Sequence, residues 1–520
     1  MLTRSRILPW LPLAGLSVAS FLALWLPARI PVVDLPMHAR MLALLTDPAL
    51  AGEAACYAPN PAAPYWLFYG LAAPFTWCMP AYEAAQTAYA LLVAAVPLAV
   101  GAWLRAARRS PALGLHSGWV LFSAVVGWGF VGVVAGLPLL ALVMAAAERV
   151  ARSRRRGPAL LLGALLVAVY YTHISVWACA VALVGWVALT RRVGWRRWIP
   201  AASGAAIGGA LAGMFSLTLA GTPYLTGTAA RYGGMGLHWF PPEGLARFLD
   251  MAASYGLTER RLPLVTILAS LWAVQVLLGM RAASQRLRAP GRLFRFRYPV
   301  AVAGALLALA FCDDVLLVHE RLVWVLGALG VMTLRLPARQ GALLAARGVL
   351  AATLVFGLLA SADAYAAALS YSRATACLDT FAGRPGGPGR MLTLQFLPTP
   401  RGYALPVDTH LGAYLAARWR GGTMSFEFAH SGVHVLRPRD VRALPRATIM
   451  GLHAAPKYYR PGFARDFDTI LVSPPFDPGE LLGESRPDFE YGVCGPFGLA
   501  LRTRSNGESA ARESPVGESP

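Results

Sequence analysis

Residues 8–27, LPWLPLAGLSVASFLALWLP, run for twenty positions without a charge, with Arg4 and Arg6 just before them. A bilayer's hydrocarbon core is about 30 Å thick and a helix rises about 1.5 Å per residue, so roughly 20 apolar residues make one crossing. Basic residues stay on the cytoplasmic side, so this first span is expected to keep its N-terminus in the cytoplasm. The apolar run is too long for a secretory leader and no small-residue cleavage site follows, so it reads as a retained span. The rest of the chain has the same character. Of 520 residues 57% are hydrophobic and 14% charged, where soluble domains carry about 25% charged residues. Mean hydropathy is +0.51. These values exclude an ordinary soluble enzyme and a disordered chain.

The basic residues then act as a ruler. The chain carries 47 basic and 26 acidic residues, a net charge of +21, and Lys457 is its one lysine. After Arg4 and Arg6, arginines cluster at 105–109, 149–156, 191–197, 281–297 and 335–347. If every cluster is cytoplasmic, each interval between them holds an even number of crossings. The run 118–147 is then a hairpin of two short helices turning near Gly132–Gly136, and 158–190 is a second hairpin turning near 171–173. Pairs of spans follow at 198–220 and 262–280, and at 299–311 and 322–336. The short, proline-bounded stretch 64–79 lies at the interface or re-enters, and a last span covers about 348–367. The expectation is an all-α polytopic bundle of about eleven crossings. External chain falls at 28–80, the two hairpin tips, 221–261, 312–321 and everything after about 370. Arginines spread over short loops are a topology signal, so no nucleic-acid partner is expected.

After residue 365 the composition changes. A Gly/Pro-rich turn at 384–390 precedes short apolar or alternating runs at 391–397, 423–429, 467–473 and 491–502, which read as strands, with a helix at 411–419. A small extracytoplasmic α/β domain over 370–502 follows the bundle of 1–369, and 503–520 has the composition of a disordered tail. Cys56 with Cys78, and Cys377 with Cys494, fall in external segments where a disulfide can persist; sequence decides neither pairing.

Four constellations could carry chemistry. In Asp34-Leu-Pro-Met-His38 the bland reading has Asp34 capping an interfacial helix, with Pro36 in its first turn and Arg40 facing water. The sharper reading makes Asp34 a general base at the membrane surface, with His38 one turn later on the same face. Asp313, Asp314, His319, Glu320 and Arg321 crowd a short turn between two spans. There Arg321 either holds an anionic phosphate or pairs internally with Asp314 or Glu320. His173 stands at a hairpin tip, where a lone histidine is most often structural. The segment 221–261 mixes aromatics with Arg231, Arg260 and Arg261, as either a sugar-phosphate site or an interfacial aromatic belt does. Asp408-Thr-His410 and His430-Ser-Gly-Val-His434 lack compact metal-ligand spacing, and no nucleotide loop or nucleophile elbow is present.

Together these features resemble the GT-C class of membrane glycosyltransferases. The resemblance rests on Asp34 within Asp-Leu-Pro-Met-His in the first external loop, on short hairpin helices, on His319-Glu320-Arg321 ahead of a late span, and on a soluble external C-terminal domain. It implies transfer of a sugar from a polyprenyl-phosphate carrier to an acceptor on the non-cytoplasmic face. Asp34 is then the base, and Arg321 with Arg231 or Arg260 the phosphate ligands. His38, His173, Asp313, Asp314, His319 and Glu320 complete the substrate-binding set. Many members pair two acids in loop one; here the nearest partners are Asp47 and Glu53, so no cofactor is assigned and a divalent metal stays open. The implied setting is a bacterial inner membrane with the N-terminus inside and the C-terminal domain outside. A transporter or lipid flippase, which would place ionisable groups at mid-span, and a non-catalytic scaffold are the alternatives.

Overall fold

In hydrocarbon a backbone N–H or C=O has no water to bond, so each apolar run closes its hydrogen bonds within itself as a helix. The computed structural model describes residues 7–121, 123–153, 155–191, 193–219, 267–268, 270–275, 277–278, 304, 330–331, 334–337, 340–381, 389–395, 407–408, 410–419, 423–424, 434–439 and 459–503. In chain order the first span is α1 (Leu11–Trp25), continued backward by a 3-10 turn at Leu8–Trp10. The short helices α2 (Leu35–Thr46) and α3 (Trp66–Ala72) follow, with a single helical turn at Ala51–Ala54 between them. Next come α4 (Ala81–Ala106), α5 (Val131–Val150), α6 (Gly157–Tyr170), α7 (Ile174–Arg191), α8 (Ile199–Leu219) and α9 (Gln340–Ala374). Among the described residues six helices are long and apolar enough to cross a membrane, and α6 is a shorter apolar one. The spans expected at 262–280, 299–311 and 322–336 lie wholly or largely outside the described residues.

The two hairpins form with one correction. The first turns at Gly129, in the left-handed region with φ +76°, rather than at Gly132–Gly136. Its leading arm is broken, as a 3-10 turn (Pro111–Ser117) and two short helices at Gly118–Leu121 and Ala124–Trp128. The second hairpin turns at 171–173, as expected. The stretch 64–79 forms α3 and a 3-10 turn at Ala73–Trp77, both too short to cross. α5 is the innermost helix, with 89% of its apolar window buried.

Among the described residues, the arginines of the clusters at 105–109, 149–156 and 191–197 gather at one end of the bundle. Arg109 donates to the Leu334 carbonyl (3.1 Å), Arg152 to that of Ala106, and Arg197 to that of Ser153 (3.4 Å). Fully buried Glu148 ties α5 to α7 at that end, 2.6 Å from Arg191 and 3.0 Å from Arg152. Loop one, both hairpin tips and the start of the C-terminal domain meet at the other end. There Gln86 donates to the carbonyls of Leu24 and Pro27, and Tyr170 to that of Ala62.

The C-terminal domain has a five-stranded mixed sheet, numbered here with β1 (Tyr57–Pro59) counted first. Its strands are β2 (Arg390–Gln395), β3 (Thr423–Met424), β5 (Thr469–Ser473), β6 (Phe489–Cys494) and β7 (Phe497–Arg502), in the order β3-β2-β5-β7-β6. The run 491–502 is two strands, not one, folded back at Gly495 with φ +56°. Helix α10 (Leu411–Arg418) lies against α2. β4 (Leu436–Pro438) pairs antiparallel with β1, Tyr57 opposite Pro438, stitching the domain to loop one. Cys377 and Cys494 are disulfide-bonded with Cα atoms 5.8 Å apart, whereas Cys56 and Cys78 are exposed free thiols.

Candidate functional site

Asp34 stands where the chain leaving the C-terminal end of α1 turns into α2, and its carboxylate does not cap the helix. The capping role goes instead to Asp47, whose carboxylate accepts from Ala49 N at 2.9 Å at the next turn. The backbone at Asp34 is strapped to the first hairpin tip. Val33 N donates to Gly127 O at 2.9 Å and Asp34 N to Trp128 O at 3.0 Å. Gly129 permits that approach, since a Cβ there would lie 2.6 Å from Val32 Cγ1 and 3.1 Å from Asp34 N.

The carboxylate, 17% exposed, faces His410 of the C-terminal domain, Nε2 to Oδ1 3.5 Å. His38 is buried, and its Nδ1 shares a 2.7 Å hydrogen bond with the Tyr69 hydroxyl. Burial, with the neighbouring rings of His434 and His410, holds His38 well below the usual histidine range. Burial also raises the Tyr69 phenol well above its ordinary value, with Tyr65 and Asp34 adding to the shift. The pair is therefore neutral imidazole and neutral phenol. His434 lies 5.8 Å from His38 and 5.0 Å from Tyr65, ring centre to ring centre, and Tyr65 in turn lies 5.5 Å from His173. His173 Nδ1 is 2.7 Å from the Ser175 hydroxyl. One carboxylate, uncommitted to capping, thus sits beside a cluster of buried imidazole and phenol rings drawn from loop one, the second hairpin tip and the C-terminal domain.

A second network holds that domain in place. Arg29, 2% exposed, donates to both carboxylate oxygens of Asp379 (2.8 and 2.9 Å), to Thr375 Oγ1 (2.8 Å) and to the Tyr414 hydroxyl (2.7 Å). It therefore locks the end of α1, the end of α9 and α10 together, and α10 begins next to His410. Arg40 does not face water: it is 1% exposed, ion-paired with Glu53, and bonded to the Ala416 carbonyl of α10 at 3.4 Å. With Asp47 capping and Glu53 on Arg40, neither acid joins Asp34. Among the described residues no group of three or more His, Cys, Asp or Glu is arranged to hold a metal, and these donors do not fit a paired-carboxylate metal site at Asp34.

Of the residues expected from sequence, the structure brings Asp34, His38 and His173 to one locality. Arg231, Arg260, Asp313, Asp314, His319, Glu320 and Arg321 lie outside the described residues. His410, His434, Tyr65 and Tyr69 join the site without having been expected there. Both histidines lack a compact ligand pattern, and no local spacing links residue 34 to residue 410. Arg29 carried one unread signal, an arginine just past α1 and apart from the arginine clusters.

No protein-family model matches the chain, and no curated protein sequence does. Among solved structures, ArnT from Cupriavidus metallidurans bound to undecaprenyl phosphate superposes with a TM-score of 0.54 at 14% identity, covering 95% of this chain and 98% of that one. The apo form of the same ArnT gives 0.52 at 15% identity, covering 96% and 98%. The likeness to these solved structures is one of fold. The chain is an integral multi-pass membrane protein.

Proposed function

We propose that this protein transfers a sugar from a polyprenyl-phosphate carrier to an acceptor hydroxyl on the non-cytoplasmic face, with Asp34 as general base. The observation that carries the reading is the carboxylate itself. It sits at the mouth of a span, part-exposed and freed from capping, against His410 of the C-terminal domain. A base must come within hydrogen-bond reach of the proton it takes, and a part-exposed carboxylate can do so. Asp34 accepts the acceptor's hydroxyl proton, the oxygen bonds the anomeric carbon, and the bond from that carbon to the carrier phosphate breaks. The leaving lipid phosphate keeps the electron pair, and Arg321 with Arg231 or Arg260 is assigned to stabilise it. The bound undecaprenyl phosphate of the structurally similar ArnT supports a carrier lipid of this kind.

Sidedness is supported twice over. Among the described residues, the arginines of 105–109, 149–156 and 191–197 collect opposite Asp34, as the cytoplasmic bias asks. A disulfide closes the Asp34 side, where an oxidising compartment would preserve it. The test is to incubate purified full-length protein with radiolabelled polyprenyl-phosphate sugars and follow release of polyprenyl phosphate. Wild type should release it and Asp34→Asn should not. Equal release by both would remove Asp34 as base, and release by neither across a broad donor panel would overturn the glycosyltransferase reading.

A further inference from the structure

The end of the bundle remote from Asp34 carries a site of its own. α6 and α8 pack backbone to backbone. A Cβ on Gly204 would stand 2.3 Å from the Gly163 carbonyl oxygen, and one on Gly163 would stand 2.4 Å from that of Pro200. Where the segments leading into these helices part, they leave a cavity of about 520 Å³ whose walls include Arg155, Arg156, Arg196, Arg197, Leu160 and Ile199. Ile199 also lines a shallow, open apolar groove. That groove runs from the 3-10 turn Trp195–Trp198 along one face of α8 past Ala202, Ser203 and Ala206.

Charge and burial say what would fill this shape. Between residues 148 and 200 there are nine arginines and one acid, Glu148. That acid is fully buried and already pairs with Arg152 and Arg191. Arg155, Arg156, Arg196 and Arg197 form no ion pair among the described residues. Trp198, 9% exposed, lines the apolar trough, and among the described residues its indole Nε1–H has no hydrogen-bond partner. A cationic mouth and an apolar trough that meet at Ile199 match a phosphodiester joined to an acyl chain. A soluble phosphate would use the mouth alone. Basic pockets between spans on the arginine-rich side are suited to anionic headgroups.

We propose that the cleft between α6 and α8 binds a membrane phospholipid with an anionic headgroup. Its phosphate sits among Arg155, Arg156, Arg196 and Arg197, and one acyl chain lies along Trp195, Trp198 and Ala206. This site is separate from the carrier site proposed at Asp34. The twenty residues of α5 span the distance between the two ends, about 30 Å. The inference does not rest on the proposed chemistry.

Native mass spectrometry of the full-length protein, released from nanodiscs containing phosphatidylglycerol and phosphatidylcholine, tests it. Wild type should retain phosphatidylglycerol in preference to phosphatidylcholine. Arg155→Gln with Arg196→Gln should lower that retention at least tenfold. Arg108→Gln with Arg347→Gln removes two exposed arginines elsewhere and should leave retention unchanged. Trp198→Phe should lower retention less than the arginine pair does. Equal loss in both arginine pairs would show a diffuse positive field and overturn the proposal, as would retention unaffected by the Arg155 and Arg196 changes. Displacement of the lipid by millimolar inorganic phosphate would assign the arginines to a free anion, and that too would overturn it.

Discussion

Gly129→Ala tests how the first hairpin tip places the Asp34 carboxylate proposed as base. Gly129 has φ +76°, where a non-glycine residue is strained. An added methyl would stand 2.6 Å from Val32 Cγ1, 3.1 Å from Asp34 N and 3.2 Å from Leu35 N. Val32 can turn its side chain, but the two backbone nitrogens belong to the first turn of α2 and can yield only by moving it. Strain of this kind costs about 1–3 kcal/mol. Relief requires lengthening the bonds from Val33 N to Gly127 O (2.9 Å) and from Asp34 N to Trp128 O (3.0 Å). A shift of about 1 Å at a reacting group can cost about 100-fold in rate. The expected result is transfer lowered about 30- to 300-fold, with donor KM changed far less than kcat, and the midpoint of thermal unfolding in detergent lowered by a few degrees. Wild-type kcat in a folded Gly129→Ala protein would refute the idea that the hairpin tip positions Asp34.

Three further outcomes follow from the same geometry. Asp34→Asn should reduce transfer by about 10²–10⁴-fold with little change in unfolding temperature, because its carboxylate does not cap; Asp47→Ala should cost about 0.5–2 kcal/mol of stability and leave transfer intact, and paired rate and melting measurements separate the two. Arg40→Met leaves Glu53 facing a lost charge in a part-buried site and should destabilise the protein by about 3 kcal/mol, with Arg40→Met combined with Glu53→Leu recovering most of the loss in thermal melts. Burial pushes the Asp408 carboxyl up to about 6, although Ser473 and Tyr371 bond it. A folded state that holds this proton more tightly than the unfolded chain gains stability from it below the ordinary carboxylate range and loses it as pH rises through about 6, by about 3 kcal/mol in all. Urea titrations read by proteolysis of the C-terminal domain should show that slope in wild type and a flat profile in Asp408→Asn.

The spans at 8–27, 158–190 and 348–367, and the clustering of arginines at one end, were legible from composition and spacing. Both signals are local, since a bilayer tests each segment's hydropathy and each loop's charge almost independently. The same logic kept 64–79 from being counted as a crossing. It failed at the first hairpin, where the left-handed turn falls at Gly129 because that residue meets the backbone of Asp34, a contact about a hundred residues away in sequence. It failed again at Arg40, read as exposed because neither Glu53's approach nor the α10 carbonyl above it can be inferred from helix periodicity.

The candidate site divides along the same line. Sequence alone determined that an acidic turn follows the first span, that His38 sits one turn beyond it, and that strand-forming runs follow the last span, because each follows from neighbours within about one helical turn or from composition. Only the tertiary structure decided what surrounds Asp34 and that its carboxylate does not cap α2. Long-range packing, through β1 against β4 and Arg29 against Asp379 and Tyr414, brings His410 to the carboxylate and His434 beside His38. A capping carboxylate and a reactive one have the same local sequence, and they differ by a hydrogen bond that forms or fails to form in the folded chain.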